Sequence, residues 1–268
     1  MRLRAVAAVG GLAVRRAPRR RGVRRHRDRP VTRLALGSGV RRFSLAAKRV
    51  TILFDIDGTL INSGGAGAAS WRLAFDELYG IPADIGEFTD AGMTDPEVGR
   101  MTFEAVMHRA PERAEFARLL ERRLHYMHET VEHSTSYRVL PGVEEMLPRL
   151  LDGGYLLGIV TGNVEAAAHI KLHRARLNRF FSFGGYGSDS SDRGEITRIA
   201  LERAALVYGA DVIAKQAIVV GDTPRDVEGA HAAGIECVGV ASGHYTVEQL
   251  REANADYAIG SLEEPLPI

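Results

Sequence analysis

The stretch Val50 to Leu60 constrains this chain more than any other. Val50, Ile52, Leu53 and Phe54 form a short apolar run that reads as a buried strand. The run ends on two carboxylates, Asp55 and Asp57. Gly58 then lets the backbone turn sharply, and Thr59 adds a hydroxyl able to bond the backbone or a carboxylate. In an open α/β sheet, ligands bind just outside the carboxyl ends of the strands. An i, i+2 pair in extended chain points to one side. Two like charges held that close call for a cation or a shared proton. Taken alone, an Asp-Gly dipeptide after a strand is an ordinary turn.

The pattern returns, and this decides against the ordinary turn. Leu156–Val160 is a second apolar run, ending in Thr161, Gly162 and Asn163. Ala217–Val220 is a third, ending in Gly221, Asp222 and Thr223, with Asp226 four residues beyond Asp222. From Leu156 onward apolar strands alternate with helical segments, as a doubly wound, Rossmann-like sheet requires. The further strands read at Ser182–Tyr186, Glu236–Val240 and Tyr257–Ile259.

Between the first two of these motifs the chain changes character. Gly64, Gly65 and Gly67 make a flexible entry, followed by helical patterns over about 68–79, from Asp95-Pro96-Glu97 onward, and from Pro111 to about His133. Some 70 residues with no strand, inside an alternating α/β chain, read as an inserted helical domain. The expected division is a core of 48–63 and 138–268, with a helical insert at 64–137. The loop Ala91–Asp95 is the segment expected to reach over the strand ends, with Thr94 and Asp95 as substrate contacts. Either side chain also reads as an N-cap of the next helix, a role that can coexist with substrate contact.

In this order the residues resemble the haloacid dehalogenase-like phosphohydrolase superfamily, over roughly Val50 to Ile259. Asp55, Asp57, Gly58 and Thr59 match its DxDGT motif, Thr161 its Ser or Thr at a strand end, and Gly221, Asp222 and Asp226 its GDxxxD motif. The resemblance implies an α/β core with a helical cap and a phosphatase of the phosphoglycolate phosphatase kind. Asp55 is then the nucleophile that forms an aspartyl-phosphate, and Asp57 the acid and base. It also implies Mg²⁺ held by Asp55, Asp222 and the Asp57 backbone carbonyl, with Asp226 either a more distant contributor or a solvated helix charge. Thr161, Gly162, Asn163 and Thr59 are expected around the phosphate, although Thr161 alone reads as an N-cap. The family's third motif is usually a Lys. No Lys stands between Gly187 and Gly194, so Arg193 is the natural substitute. Lys171 is its rival. A phosphomutase would use the same core.

Composition narrows the partners. No apolar run approaches the ~20 residues of a membrane helix. One cysteine, Cys237, excludes an internal disulfide and reads as a packed core thiol, which fits a cytoplasmic location. The net charge of +1 hides a split. Residues 1–49 hold 16 of the 35 Lys and Arg and one of the 34 acids, Asp28, for a net of +15 against −14 in the remainder. That segment reads as a disordered tail or as translated sequence ahead of the true start. An organellar transit segment and a nucleic-acid-binding arm are the sharper and less favoured readings. His125 and His128 share a helical face and read as a solvated or interface pair. The expected partner is a small phosphorylated metabolite, and the sequence does not choose between monomer and homodimer.

Overall fold

The computed structural model describes residues 50–209 and 216–268, all within the compact unit Ala46–Ile268. The basic tail read from the sequence lies outside them. The core is a six-stranded sheet of order β5-β4-β1-β6-β7-β8, with every neighbouring pair parallel. Its strands are β1 (Thr51–Phe54), β4 (Leu156–Thr161), β5 (Gly184–Tyr186), β6 (Ala217–Gly221), β7 (Glu236–Val240) and β8 (Tyr257–Ile259).

Strand periodicity sorts the core onto two faces. Ile52 and Phe54 of β1, Leu157 and Ile159 of β4, and Ile218 and Val220 of β6 pack with α4 (Val143–Asp152) and α5 (Glu165–Arg174). The intervening Leu53, Leu156, Val160, Ala217 and Val219 pack with α6 (Arg193–Tyr208) and α7 (Pro224–Ala232). Both faces are therefore covered, which is why these strands read as continuous apolar runs. Cys237 sits in the second cluster, and burial pushes its thiol up to about 12. A last helix, α8 (Val247–Glu252), carries the Thr246–Gln249 capping box expected from its sequence.

The insert is helical, with α1 (Ala66–Tyr79), α2 (Asp95–Met107) and α3 (Arg113–His133) packed around Trp71, Phe75, Val98, Phe103 and Leu119. Met127 and Val131 of α3 and Ala66 of α1 pack against Val164 and Ala167, which seats the helical lobe on α5. Two elements escaped the sequence reading. A short antiparallel ribbon of β2 (Ile61–Asn62) and β3 (Arg138–Val139) ties the outgoing and returning linkers together. Two-residue strands carry no periodicity to read. Beside this ribbon Gly64 adopts φ +64° and packs so closely on Ser134 and Ser136 that a Cβ would overlap them. Gly67, expected in a flexible entry, is already inside α1.

Candidate active site

Three adjacent strands, β4, β1 and β6, deliver the polar residues to one edge of the sheet. Asp55 follows β1 directly and is buried, its N–H donating to Val220 O at 2.9 Å. Gly58, at φ +83°, packs so tightly on Asp222 that a Cβ would overlap its carboxylate. Gly243, in the loop after β7, meets Asp222 in the same way. Ser242 donates to Gly58 O at 2.7 Å and closes that side. Asp222 is thus clasped between two glycines.

Two cations organise the acids. Arg193, the first residue of α6, pairs with Asp226 and lies 3.6 Å from Asp55, while its Nη1 is buried and has no partner among the described residues. Lys171 of α5 donates to Asp57 Oδ2 at 2.6 Å and to Asn163 Oδ1 at 2.7 Å. Asn163 Nδ2 donates to the same Asp57 oxygen at 2.8 Å and to Thr161 Oγ1 at 2.9 Å. Of the two candidates for the third motif, Arg193 is the one beside Asp55.

These surroundings set the charges. Burial pushes Asp57 up, but the Lys171 ammonium and hydrogen bonds from Lys171 and Asn163 outweigh it and hold the carboxyl below its ordinary value. Burial raises Asp55, with Arg193 opposing and Asp57 adding to the rise. Asp222 is pushed up to about 8 by burial and by the charge of Asp55, against a hydrogen bond from Thr59. Carboxylate oxygens of Asp55, Asp222 and Asp226 lie within 4.8 Å of one another. Burial and the neighbouring Asp55 charge together disfavour the Asp222 carboxylate. A hard divalent cation with oxygen donors fits this group.

The other residues singled out in the sequence take the following places. Thr59, expected at the substrate, is fully buried and donates to Asp222 Oδ1 at 3.2 Å. Thr94 is buried in the capping box of α2, its hydroxyl bonded to Glu97 at 2.8 Å, the N-cap role held for it beside a substrate contact. Asp226 is not a solvated helix charge. It is 2% exposed, and its oxygens accept from Arg193, Thr223 N–H and Thr223 Oγ1. His125 and His128 are exposed on α3, away from the site.

The strand-end groups open onto one cavity of about 440 Å³, lined by Asp55, Asp57, Thr161, Gly162, Asn163, Lys171, Arg193 and Asp222 at the sheet and by Trp71, Met93, Asp95, Val98 and Arg123 at the lobe. Sequence reading missed Trp71 and Arg123, which looked like ordinary helix residues. It also missed Ser242, Gly243 and His244, although they follow β7 just as the recognised polar residues follow the other strands.

A model of the haloacid dehalogenase-like hydrolase family matches residues 52–240, from the first residue after the start of β1 to the end of β7. The chain belongs to that family. It is 34% identical over 210 residues to a phosphoglycolate phosphatase from Mesorhizobium japonicum, covering 76% of this chain and 87% of the relative. It is 27% identical over 218 residues to pyrophosphatase PpaX from Halalkalibacterium halodurans, covering 81% and 95%. The fold is shared with a predicted phosphoglycolate phosphatase from Haemophilus somnus, at a TM-score of 0.62 and 21% identity over 81% of this chain and 96% of the other. A hydrolase from Pseudomonas syringae gives 0.62 at 23% identity, over 80% and 95%.

Proposed function

We propose that this phosphatase hydrolyses a small phosphomonoester through an aspartyl-phosphate on Asp55. The observation that carries the reading is Asp55 itself. It stands at the carboxyl end of the central strand, beside a second buried acid, Asp222, and a cation, Arg193, in the lining of one cavity. A volume of about 440 Å³ suits a metabolite rather than a macromolecule.

In this reading an Asp55 oxygen attacks phosphorus and the leaving oxygen departs with a proton from Asp57. Water then attacks the aspartyl-phosphate, giving its proton to Asp57 and restoring the Asp55 carboxylate. Thr161 and Asn163 offer hydrogen bonds to phosphate oxygens, and the unpartnered Arg193 Nη1 is a further donor. Lys171 links the two halves of the site. A phosphate that draws on Lys171 and Asn163 loosens their hold on Asp57 and raises its affinity for a proton. Asp55 and Asp222 would hold Mg²⁺, with the Asp57 backbone carbonyl, while Asp226 anchors Arg193. When bound, the ion neutralises charge on the nucleophile and the phosphate.

The helical lobe is read as a cap. It walls the leaving-group end of the cavity with Trp71, Met93 and Val98, a surface suited to selecting substrates and excluding water. The test is a panel of phosphorylated metabolites with Mg²⁺, including phosphoglycolate and pyrophosphate, run beside Asp55→Asn. Phosphate release from at least one small compound, lost in the variant, is expected. Release that survives in Asp55→Asn removes the nucleophile assignment.

A further inference from the structure

The loop that leaves β4 at Thr161 is held on its core side by Gly187, whose N–H donates to Asn163 O at 2.8 Å, and by Ser188 Oγ, which accepts from Glu165 N–H at 3.2 Å. Helix α5 begins after Val164, a residue with no side-chain oxygen to cap the first N–H groups. A further acceptor comes from the helical lobe. Asp95 Oδ2 accepts from Val164 N–H at 2.8 Å, across 69 residues of sequence. The backbone N–H of Asp95 also donates to Gly162 O at 2.8 Å. One residue thus holds both ends of the Gly162–Val164 segment.

The second bond has a directional consequence. A trans peptide points its C=O and N–H in opposite directions. With Gly162 O turned out to Asp95, the following N–H, that of Asn163, is turned back toward Thr161 Oγ1, 3.3 Å away, on the cavity side. Gly162 permits the approach, since a Cβ there would stand 2.6 Å from Met93 O. Asp95 is itself fixed. Arg123, 1% exposed, grips both its oxygens at 2.7 and 2.8 Å and lies 4.9 Å over the ring of Trp71. Three donors on its two oxygens leave Asp95 engaged with protein rather than free for a substrate.

We infer that Asp95 is a positioning residue of the reaction: from the helical lobe it sets the geometry of the Thr161–Asn163 phosphate loop, with Arg123 holding it in place. The inference rests on the phosphatase reading for the identity of the anion. It makes the lobe part of the phosphate site and assigns to Asp95 no contact with the leaving group.

The test uses the full chain with Mg²⁺. Asp95→Ala is expected to lower kcat/KM by about 10- to 100-fold, the scale of a displacement near 1 Å, and by one common factor for p-nitrophenyl phosphate and for each metabolite turned over. Calorimetry with inorganic phosphate should show weakened binding by the variant. Mg²⁺ affinity should not change. The doublet Asp95→Asn/Arg123→Gln keeps an acceptor for Val164 N–H without a buried unpaired charge. It is expected to recover most of the phosphate affinity. A factor that differs between substrates, with phosphate binding intact, makes Asp95 a specificity residue and overturns the inference. If Asp95→Ala does not fold, Asp95→Leu/Arg123→Met, which removes the acceptor together with the charge pair, is measured beside Asp95→Asn/Arg123→Gln: phosphate affinity lost only where the acceptor is gone supports the inference, and equal affinities in the two doublets overturn it. Wild-type protein that binds phosphate but turns over no ester defeats the phosphatase reading, while the phosphate-binding comparison still judges Asp95.

Discussion

Lys171 Nζ stands 2.6 Å from Asp57 Oδ2, bridging α5 to the turn after β1. The Asp57 side chain is 38% exposed, so this is a pair at the cavity wall and not in the deep core. Its effect is on proton affinity. Replacing the cation with Lys171→Met lets Asp57 take a proton at higher pH, because the charge and hydrogen bond that hold it ionised are gone. The limb of the kcat/KM profile that reports Asp57 should therefore move to higher pH. An unmoved profile with a raised KM would make Lys171 a phosphate ligand only.

Arg193 predicts a different phenotype. Its Nη2 faces Asp226 and Asp55, and its Nη1 is unspent. Arg193→Ala is expected to lower kcat by about 10²- to 10³-fold, as for loss of a preorganised donor at developing charge. Arg193→Lys keeps the charge but not the fork, so its recovery should be partial. Full activity in Arg193→Ala would give the third-motif role to Lys171.

Gly243→Ala tests the clasp on Asp222. The position lies outside the region of positive φ, so the substitution acts through contact alone. The new methyl must displace the carboxylate. Calorimetry should show Mg²⁺ affinity reduced by about tenfold or more, the loss typical of a disturbed metal environment. Unchanged affinity would take Asp222 out of the metal site.

Asp222, pushed up to about 8, makes metal binding depend on pH. The ion needs the carboxylate, so its affinity should rise up to about tenfold per pH unit below 8 and level off above it. Metal-free protein should show the opposite trend in stability. Between the ordinary carboxylate range and pH 8 the folded chain keeps a proton that the unfolded chain releases, so the melting temperature falls as pH rises through that window. Added Mg²⁺ should reverse the fall. Mg²⁺ affinity flat between pH 5 and 8 would contradict this.

The strands of the sheet were legible because burial on both faces writes them as unbroken apolar runs, and the chemistry was legible where polar residues end such runs. Asp55, Thr161 and Asp222 follow this rule. What hid were relationships between distant residues. Thr59 and Thr94 look alike as loop hydroxyls next to motif residues, yet their partners are Asp222 and Glu97. Arg123 sits in a run of helix-forming charges, and only the folded lobe turns it inward onto Asp95. A pairing across 28 or 69 residues leaves no local signal.

The central claim is a covalent intermediate on Asp55. Enzyme mixed with a turned-over substrate and Mg²⁺, quenched in acid within one turnover and digested, should give a peptide containing Asp55 heavier by one phosphoryl group. The adduct should be discharged by hydroxylamine and absent from Asp55→Asn. A phosphoryl group on another residue, or phosphate release at the wild-type rate by Asp55→Asn, would contradict the account.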